Sequence, residues 1–251
     1  MTRALLFDYG GTLDTCGVHW YDVLRRAWAG AGLHPDDALA RDAYIQAERA
    51  LSEPGAVATD CTFRPLLAKK LRLELAWLRD HGLADAFAKE SVEVKADRLA
   101  AHLDTDVRSN LDAVRPMLRR LRRRYKTVLV SNFYGNLPAV LRDYGLDGLF
   151  DAVVESAAVG IRKPDPALWR LAVETAGCHP DECTAIGDSL KNDIRPARAA
   201  GCRTVWLNSK PHTSPLGAES VPLIVVANYA ELEYTLMGVE RRGALLYESK
   251  R

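Results

Sequence analysis

The sequence predicts an α/β protein in which a doubly wound parallel sheet, with helices on both faces, carries an inserted all-helical domain. Short apolar segments alternate with helical segments after about residue 111, which is the pattern of a parallel sheet buried on both faces. Residues 19–102, by contrast, are predicted to be helical almost throughout. The apolar segment 3–7 needs the later strands as partners, so the helical stretch interrupts a single sheet domain.

The first strand is predicted at residues 3–7, and Gly10 and Gly11 end the regular pattern shortly after it. In the stretch that follows, apolar residues recur at helical spacing, and the good helix formers Ala, Leu, Arg and Glu are abundant. The clearest helical segments are 19–28, 63–78 and 84–103. We therefore assign residues 16–109 to an all-helical domain.

The second half of the chain supplies the rest of the sheet. A basic helix is predicted to begin at Pro116, and after it short apolar strands alternate with helices. The predicted strands are 127–130, 152–154, 184–186, 204–207 and 223–226, and further helices begin near Leu137, Asp165 and Ile194. Residues 1–15 and 110–238 are therefore predicted to form the α/β domain, and residues 239–251 a C-terminal tail or helix.

Composition and charge exclude several classes of protein. The 251 residues are 48% hydrophobic and 27% charged, with a formal net charge of +1, so no overall field attracts nucleic acid or a membrane. No apolar run approaches the roughly 20 residues that span a bilayer, and no secretory signal pattern begins the chain. We expect a cytoplasmic protein without nucleic-acid or membrane partners, and the sequence does not indicate its oligomeric state.

Two other features receive structural interpretations. The five cysteines form no CxxC pair, which argues against a zinc site or a disulfide framework and favours reduced thiols. The arginine-rich segment 119–126 is interpreted as the solvated face of a helix whose Leu118 and Leu121 face the sheet. Aromatic residues do not alternate with its basic residues as single-strand binding requires.

Carboxylates follow two of the predicted strands. Asp8 comes directly after the first strand, and Asp188 follows a strand that ends in Gly187, with Asp193 five positions later. Ligands of open parallel sheets bind beyond the carboxyl ends of the strands. Carboxylates at such positions can act as nucleophiles toward phosphorus and as oxygen ligands for Mg²⁺.

Two further segments carry groups that suit a phosphate. Ser131 ends a predicted strand and is followed by Asn132, and the serine hydroxyl can donate a hydrogen bond to a phosphate oxygen. Lys163 precedes Pro164, so its backbone is expected to be extended and well fixed. An ammonium held there could neutralise the charge of a phosphoryl group and of an attacking carboxylate.

The order of these groups along the chain is aspartate, serine, lysine, then Gly-Asp with a trailing aspartate. This order resembles the haloacid dehalogenase superfamily of phosphohydrolases. The resemblance covers residues 3–14 and 112–227 and implies a Rossmann-like α/β core. The helical block 16–109 resembles the helical cap that one subgroup of the superfamily inserts after its first motif.

The resemblance implies phosphoryl transfer. Asp8 would attack phosphorus and become an aspartyl phosphate, Ser131 would bind the transferring phosphoryl group, and Lys163 would pair with its charge and with Asp8. Asn132 and His19 are further candidates for substrate binding. The expected substrate is a small phosphorylated metabolite.

The resemblance also implies a Mg²⁺ site. Asp8, Asp188 and the main-chain carbonyl of Gly10 would be its ligands. Asp193 would support Lys163 or the groups around the metal, and Thr12 would hold the loop after the first strand by hydrogen bonding.

Gly10 departs from the family pattern, in which phosphatases usually have an aspartate that transfers the proton. A positioned acid–base group is typically worth about 10²–10⁴ in rate. Three explanations are open: a substrate with a good leaving group, a proton supplied by His19 or, less favourably, by Tyr9 or Tyr21, and a phosphate-binding protein that has lost turnover. His19 is also explained as a helix-start residue that packs with its neighbour.

Two groups of the superfamily also lack this aspartate. Dehalogenases proper need no metal and lack the Gly-Asp pattern, so Gly187, Asp188 and Asp193 argue against dehalogenation. Phosphonatases use a cap lysine that forms an imine, and Lys69 and Lys70 are candidates for that role. The sequence therefore predicts a Mg²⁺-dependent phosphohydrolase, with a phosphate-binding pseudoenzyme or a phosphonatase-like C–P hydrolase as alternatives.

Overall fold

The computed structural model describes residues 1–209 and 224–238. Its contacts divide the chain into two compact units. The first unit comprises Met1–His19, Asn110–Asn132 and the described residues from Gly148 onward. The second unit comprises Trp20–Ser109 and Phe133–Asp147. The predicted tail at 239–251 lies outside the described residues.

The elements follow one another in α/β fashion after a run of helices. The strands are β1 (Ala4–Phe7), β2 (Lys126–Ser131), β3 (Ala152–Glu155), β4 (Cys183–Gly187), β5 (Arg203–Leu207) and β6 (Ile224–Val226). The helices are α1 (Trp20–Gly30), α2 (Asp37–Ser52), α3 (Phe63–Leu78), α4 (Val92–Leu121), α5 (Leu137–Asp143), α6 (Ser156–Val159), α7 (Pro166–Ala176), α8 (Arg195–Ala199) and α9 (Tyr229–Leu236). None of the helices in the described residues has both the length and the apolarity that crossing a bilayer requires.

The first unit holds the sheet. Within the described residues its order is β3-β2-β1-β4-β5-β6, and every neighbouring pair is parallel. The chain therefore builds outward from β1 to β3, returns to the other side of β1, and builds outward again. The prediction of a doubly wound parallel sheet is confirmed. β1 and β4 are neighbours where the strand order reverses, the place at which such sheets bind ligands.

Helix α7 illustrates how the local sequence sets an element of this unit. Asp165 caps its start by accepting a hydrogen bond from the N–H of Ala167 at 2.8 Å, and Pro166 suits the first helical position. Gly177 ends the helix in the left-handed conformation, with φ 61°. Trp169 on its inner face is fully buried and packs in one apolar cluster with residues of β1, β2 and β4.

The second unit is built from α1, α2, α3, α5 and the first part of α4, and its described residues include no strand. Buried apolar side chains such as Leu24, Trp28, Leu71 and Leu75 form its interior. The segment Phe133–Asp147, which the sequence analysis counted with the sheet, groups by its contacts with this unit.

Helix α4 differs from the sequence analysis at both ends. The helix predicted to begin at residue 84 begins at Val92, because residues 84–87 form a short 3₁₀ turn and are not continuous with the helix. The helix then passes through Pro116 without a break, although a new helix was predicted there. Its buried positions keep helical spacing across the proline, at Val114, Leu118 and Leu121, which favours one continuous helix.

Candidate functional site

Asp8 directly follows β1 beside the switch point of the sheet and takes part in a buried hydrogen-bond chain. Lys163 Nζ donates to Asp8 Oδ1 at 2.6 Å and to Asp193 Oδ1 at 2.8 Å. Asp8, Lys163 and Asp193 are 6%, 5% and 2% exposed. Burial lowers the pKa of Lys163, but the charges of Asp193 and Asp8 outweigh it, and the pKa is raised overall. One ammonium charge therefore lies between two carboxylates.

Asn132 fixes the backbone of Lys163. The Asn132 side chain accepts a hydrogen bond from Lys163 N at 2.9 Å and donates one to Lys163 O at 3.1 Å. The Lys163–Pro164 peptide bond is cis, and Lys163 Nζ lies 4.7 Å from the centroid of the Trp169 ring. Both polar atoms of the Asn132 amide thus help to position Lys163. A direct contact of Asn132 with substrate stays a prediction.

Ser131 and the candidate proton donors occupy different parts of the chain. Ser131 ends β2, is 1% exposed, and donates a long hydrogen bond of 3.4 Å to Asn132 O. His19 is partly exposed and directly precedes α1, Tyr9 is buried, and Tyr21 lies in α1. Phosphate binding by Ser131 and proton transfer by His19 stay predictions.

The Thr12 hydroxyl links two carboxylates. It donates to Asp8 Oδ2 at 2.8 Å and lies 3.2 Å from Asp188 Oδ1. Because a hydroxyl carries one hydrogen, the shorter contact is its principal bond. The fully buried Thr12 side chain thus bonds the first carboxylate of its own loop, and its role in holding that loop stays a prediction.

Asp8, Asp188 and Asp193 form a candidate metal centre, since one carboxylate oxygen of each lies within 4.8 Å of the others. Among the residues that the structure describes, buried Asp188 Oδ2 has no hydrogen-bond partner. Burial and the nearby charges of Asp193, Asp8 and Asp14 raise the pKa of Asp188. A divalent cation would satisfy the unpartnered oxygen and offset the repulsion, so these residues fit Mg²⁺.

Two glycines are required by the close approach of these carboxylates. A Cβ atom on Gly11, whose φ is +97°, would lie 2.5 Å from Asp188 Oδ1. A Cβ atom on Gly187 would lie 2.3 Å from Asp193 Cβ. The Gly-Gly and Gly-Asp pairs of the sequence thus allow three acidic side chains to converge.

Sequence reasoning missed several residues that support the site. Asp14, which is fully buried, accepts a hydrogen bond from Gly11 N at 2.7 Å. Trp206 Nε1 donates to Asp188 O at 2.7 Å, and Tyr229 donates to Leu13 O at 2.7 Å. Asp14 could have been found from its position inside the first motif. Trp206 lies in an apolar strand and Tyr229 begins a helix, and neither carries a comparable signal.

Comparison with known proteins agrees with this geometry. Residues 2–201 match the protein-family model described as haloacid dehalogenase-like hydrolase. The chain belongs to this family. The predicted family membership is confirmed, and the candidate site lies where the strands that precede Asp8 and Asp188 adjoin.

Several sequence relatives of this hydrolase are phosphatases. It is 42% identical over 76 residues to phosphoserine phosphatase of Thermus thermophilus, covering 28% of this chain and 30% of that protein. It is 30% identical over 129 residues to human N-acylneuraminate-9-phosphatase, covering 51% and 52%. It is 33% identical over 123 residues to a pyrimidine 5′-nucleotidase of Escherichia coli, covering 48% and 53%. The matches thus span about half or less of the relatives' own lengths.

Solved structures share the fold of this hydrolase. A magnesium-bound hydrolase of the haloacid dehalogenase type from Bacillus subtilis has a TM-score of 0.54 at 19% identity, covering 95% of this chain and 99% of that one. The L-2-haloacid dehalogenase of Xanthobacter autotrophicus has a TM-score of 0.57 at 19% identity, covering 96% and 100%. At such identities the likeness concerns the fold alone.

Proposed function

We propose that this hydrolase is a Mg²⁺-dependent phosphohydrolase that acts on a small phosphorylated substrate through Asp8. The observation that carries the proposal is the convergence of the Lys163 ammonium and three carboxylates, one with an unpartnered buried oxygen, at the sheet's switch point. The relatives that are named as phosphatases support the same reaction class.

Asp8 is the nucleophile in this proposal. One of its oxygens attacks phosphorus, the bond from phosphorus to the leaving group breaks, and an aspartyl phosphate forms. Water then attacks that phosphorus, which releases phosphate and restores Asp8. Lys163 and Thr12 hold the two Asp8 oxygens and so fix the direction of attack, while Ser131 donates to a phosphoryl oxygen.

The metal would be held by Asp8, Asp188 and the carbonyl of Gly10. When bound, Mg²⁺ would neutralise charge shared by the carboxylates and the phosphoryl group. Asp193 supports Lys163 in this scheme, because its two oxygens accept hydrogen bonds from Lys163 Nζ and from Ser189 N, the latter at 3.0 Å. The second unit would act as the helical cap of the family and set the substrate.

Because Gly10 cannot donate a proton to the leaving group, two explanations for turnover remain. The substrate has a leaving group that needs little acid help, or His19 supplies the proton. Comparing acyl phosphates with alkyl phosphates separates these explanations, because only the alkyl leaving group needs a proton. We expect His19→Ala to slow alkyl phosphate hydrolysis selectively if His19 is the acid. Unchanged rates on both substrate types would eliminate His19, and Gly10→Asp would then be expected to accelerate the alkyl substrates.

The phosphonatase alternative receives less support. An imine-forming lysine must lose its proton, yet the Lys70 ammonium pairs with Glu48 and lies 3.6 Å from Glu74, and its pKa is raised because these charges outweigh burial. Lys69 Nζ donates to the carbonyl of Ala56. Borohydride trapping with phosphonoacetaldehyde is expected to give no covalent adduct.

The proposed function is tested with a panel of phosphate esters and acyl phosphates, measured as phosphate release with Mg²⁺ and with EDTA. We expect Mg²⁺-dependent turnover that Asp8→Asn abolishes, with Asp147→Asn, which changes an exposed aspartate, as the control. Release that survives Asp8→Asn would contradict the role of Asp8. No release from any substrate, together with stabilisation by phosphate ligands, would favour the pseudoenzyme.

A further inference from the structure

The loop between β1 and α1 carries Thr12 and two of the proposed metal ligands, Asp8 and the carbonyl of Gly10. Its backbone turns sharply. Gly17 N donates to Gly11 O at 2.8 Å, which closes the loop on itself. Cys16 has a φ of 54°, in a region that residues other than glycine seldom adopt. Backbone groups in such a loop cannot pair as they would in a helix or strand, so they need partners from elsewhere.

The Tyr229 hydroxyl contacts three backbone groups of this loop. It donates to Leu13 O at 2.7 Å, lies 3.2 Å from Thr12 O, and accepts a hydrogen bond from Cys16 N at 3.0 Å. Thr12 and Leu13 are fully buried, so water does not compete for their carbonyls. Burial raises the pKa of Tyr229, which keeps the hydroxyl protonated and able to donate.

Tyr229 is itself held firmly. It is the first residue of α9, and Asn228 caps that helix by accepting a hydrogen bond from Glu231 N at 2.9 Å. At the other end of the helix, the Tyr125 hydroxyl donates to Leu236 O at 2.6 Å. Because its cap stabilises the start of α9 and Leu232 on the same helix is fully buried, the Tyr229 hydroxyl is a fixed point for the loop.

We propose that Tyr229 is a positioning residue of the phosphohydrolase site, an inference that rests on the proposed function. Its hydroxyl bonds the carbonyl of Leu13, the residue next to Thr12, and so fixes the backbone that carries Thr12. The Thr12 side chain in turn bonds Asp8 and contacts Asp188. Without the hydroxyl, the buried carbonyl of Leu13 loses its donor and the loop can relax. Thr12 then no longer aligns the two carboxylates. Tyr229 acts through Thr12 and not on the reacting atoms.

The test compares Tyr229→Phe with Tyr125→Phe in the full chain. Each substitution removes one hydroxyl that donates to a backbone carbonyl, and both hydroxyls anchor α9. Of the two, Tyr229 is the one that holds the loop. We expect Tyr229→Phe to lower kcat and to weaken Mg²⁺ binding by about 10–100-fold, with a much smaller change in KM. Tyr125→Phe, which loosens only the far end of α9, should change kcat and Mg²⁺ affinity much less.

Calorimetric titration gives the Mg²⁺ affinity without relying on turnover. Equal effects of the two substitutions on Mg²⁺ affinity would overturn the proposal, because loosening of α9 would then be a sufficient cause. Wild-type affinity in Tyr229→Phe would overturn it as well. If the wild-type chain releases no phosphate from any substrate, the proposed function fails, whereas the Mg²⁺ affinities of the two variants still decide the role of Tyr229.

Discussion

The buried ammonium of Lys163 donates hydrogen bonds to two buried carboxylates. One side chain therefore affects both the stability of the fold and the proposed reaction. Its bonds to Asp8 and Asp193 replace the hydration that all three groups lose on burial. Breaking a buried ion pair by removing one partner is strongly destabilising, because the other charge stays buried and uncompensated. The same ammonium is the group that would meet the charge of a phosphoryl group.

Lys163→Gln is therefore expected to lower the free energy of unfolding by about 3–5 kcal/mol at neutral pH, in addition to abolishing turnover. Burial is the main cause that raises the pKa of Asp193 to about 6. The difference in free energy of unfolding between the wild type and Lys163→Gln should shrink as the pH falls from about 8 to about 5, since a protonated Asp193 needs no ammonium partner. Urea denaturation in EDTA measures the effect.

The control for this experiment is Lys191→Gln, which removes an exposed lysine that also follows a strand end. Its free energy of unfolding should stay close to that of the wild type at every pH. If Lys163→Gln proves as stable as Lys191→Gln, the buried ion pair does not stabilise the fold.

At the residue scale, the sequence predicts those site residues that a local sequence pattern marks. Asp8 and Asp188 stand out because carboxylates directly after buried strands are unusual. Lys163 and Asp193 were found from the order of the motifs along the chain. Tyr229 could not be found in this way, because its contribution depends on which part of the chain its hydroxyl reaches. That contact joins residues 216 positions apart, and no local pattern encodes it.

At the scale of elements, α2 and α3 of the second unit carry a group of polar side chains, of which Lys70 and Glu74 are buried. Lys70 pairs with Glu48, its Nζ lies 4.2 Å from the centroid of the Tyr44 ring, and the Tyr134 hydroxyl donates to Glu48 at 2.9 Å. Glu74 is 0% exposed, and among the described residues neither of its oxygens has a hydrogen-bond partner. Burial, aided by the charge of Glu48 and opposed by Lys70, raises the pKa of Glu74 to about 8.

Glu74→Gln is expected to stabilise the protein increasingly as the pH rises. Between the ordinary pKa of 4.5 and about 8, the unfolded chain ionises Glu74 while the folded chain keeps it protonated, so wild-type stability falls with pH. Glutamine mimics the protonated acid and removes that loss. The difference between variant and wild type should grow by at most about 1.4 kcal/mol per pH unit, measured by chemical denaturation.

Glu53→Gln provides the matched control, because it removes an exposed glutamate at the end of α2. The stability difference between this variant and the wild type should not depend on pH in the same window. A Glu74→Gln variant less stable than wild type at about pH 8 would mean that Glu74 is ionised and stabilises Lys70.

The elements themselves were largely predictable, and the exceptions have physical causes. Every strand of the sheet was predicted to within about two residues, since short apolar runs between polar turns have few alternatives. The start of α4 was not predicted correctly, because good helix formers also occupy the irregular turns before Val92. Proline commonly marks the start of a helix, but α4 continues through Pro116 because the apolar face on both sides of it is buried.

At the scale of the whole molecule, folding brings together the three carboxylates of the candidate metal centre from segments about 180 residues apart. Their mutual repulsion is a cost that the unfolded chain does not bear. A cation that binds the folded state alone therefore stabilises the whole fold by mass action, by about 2.7 kcal/mol when it is present at 100 times its Kd.

We expect Mg²⁺ to raise the thermal midpoint of the wild type by several degrees. Asp188→Asn should have opposite effects in the two conditions. In EDTA the variant should be more stable than the wild type, because a buried repulsive charge is gone. Adding Mg²⁺ should raise the thermal midpoint of the variant only slightly. Asp147→Asn, at an exposed position, should respond to Mg²⁺ as the wild type does. A full Mg²⁺ response in Asp188→Asn would exclude Asp188 as a ligand.

The contact between Tyr229 and the first loop bears on how such an enzyme can change during evolution. The family model matches residues 2–201, and Tyr229 lies beyond that match. The candidate nucleophile, lysine and metal ligands thus all lie inside the matched stretch, whereas the proposed support of their loop lies outside it. Changes at Tyr229 could then retune turnover without touching any of the candidate site residues.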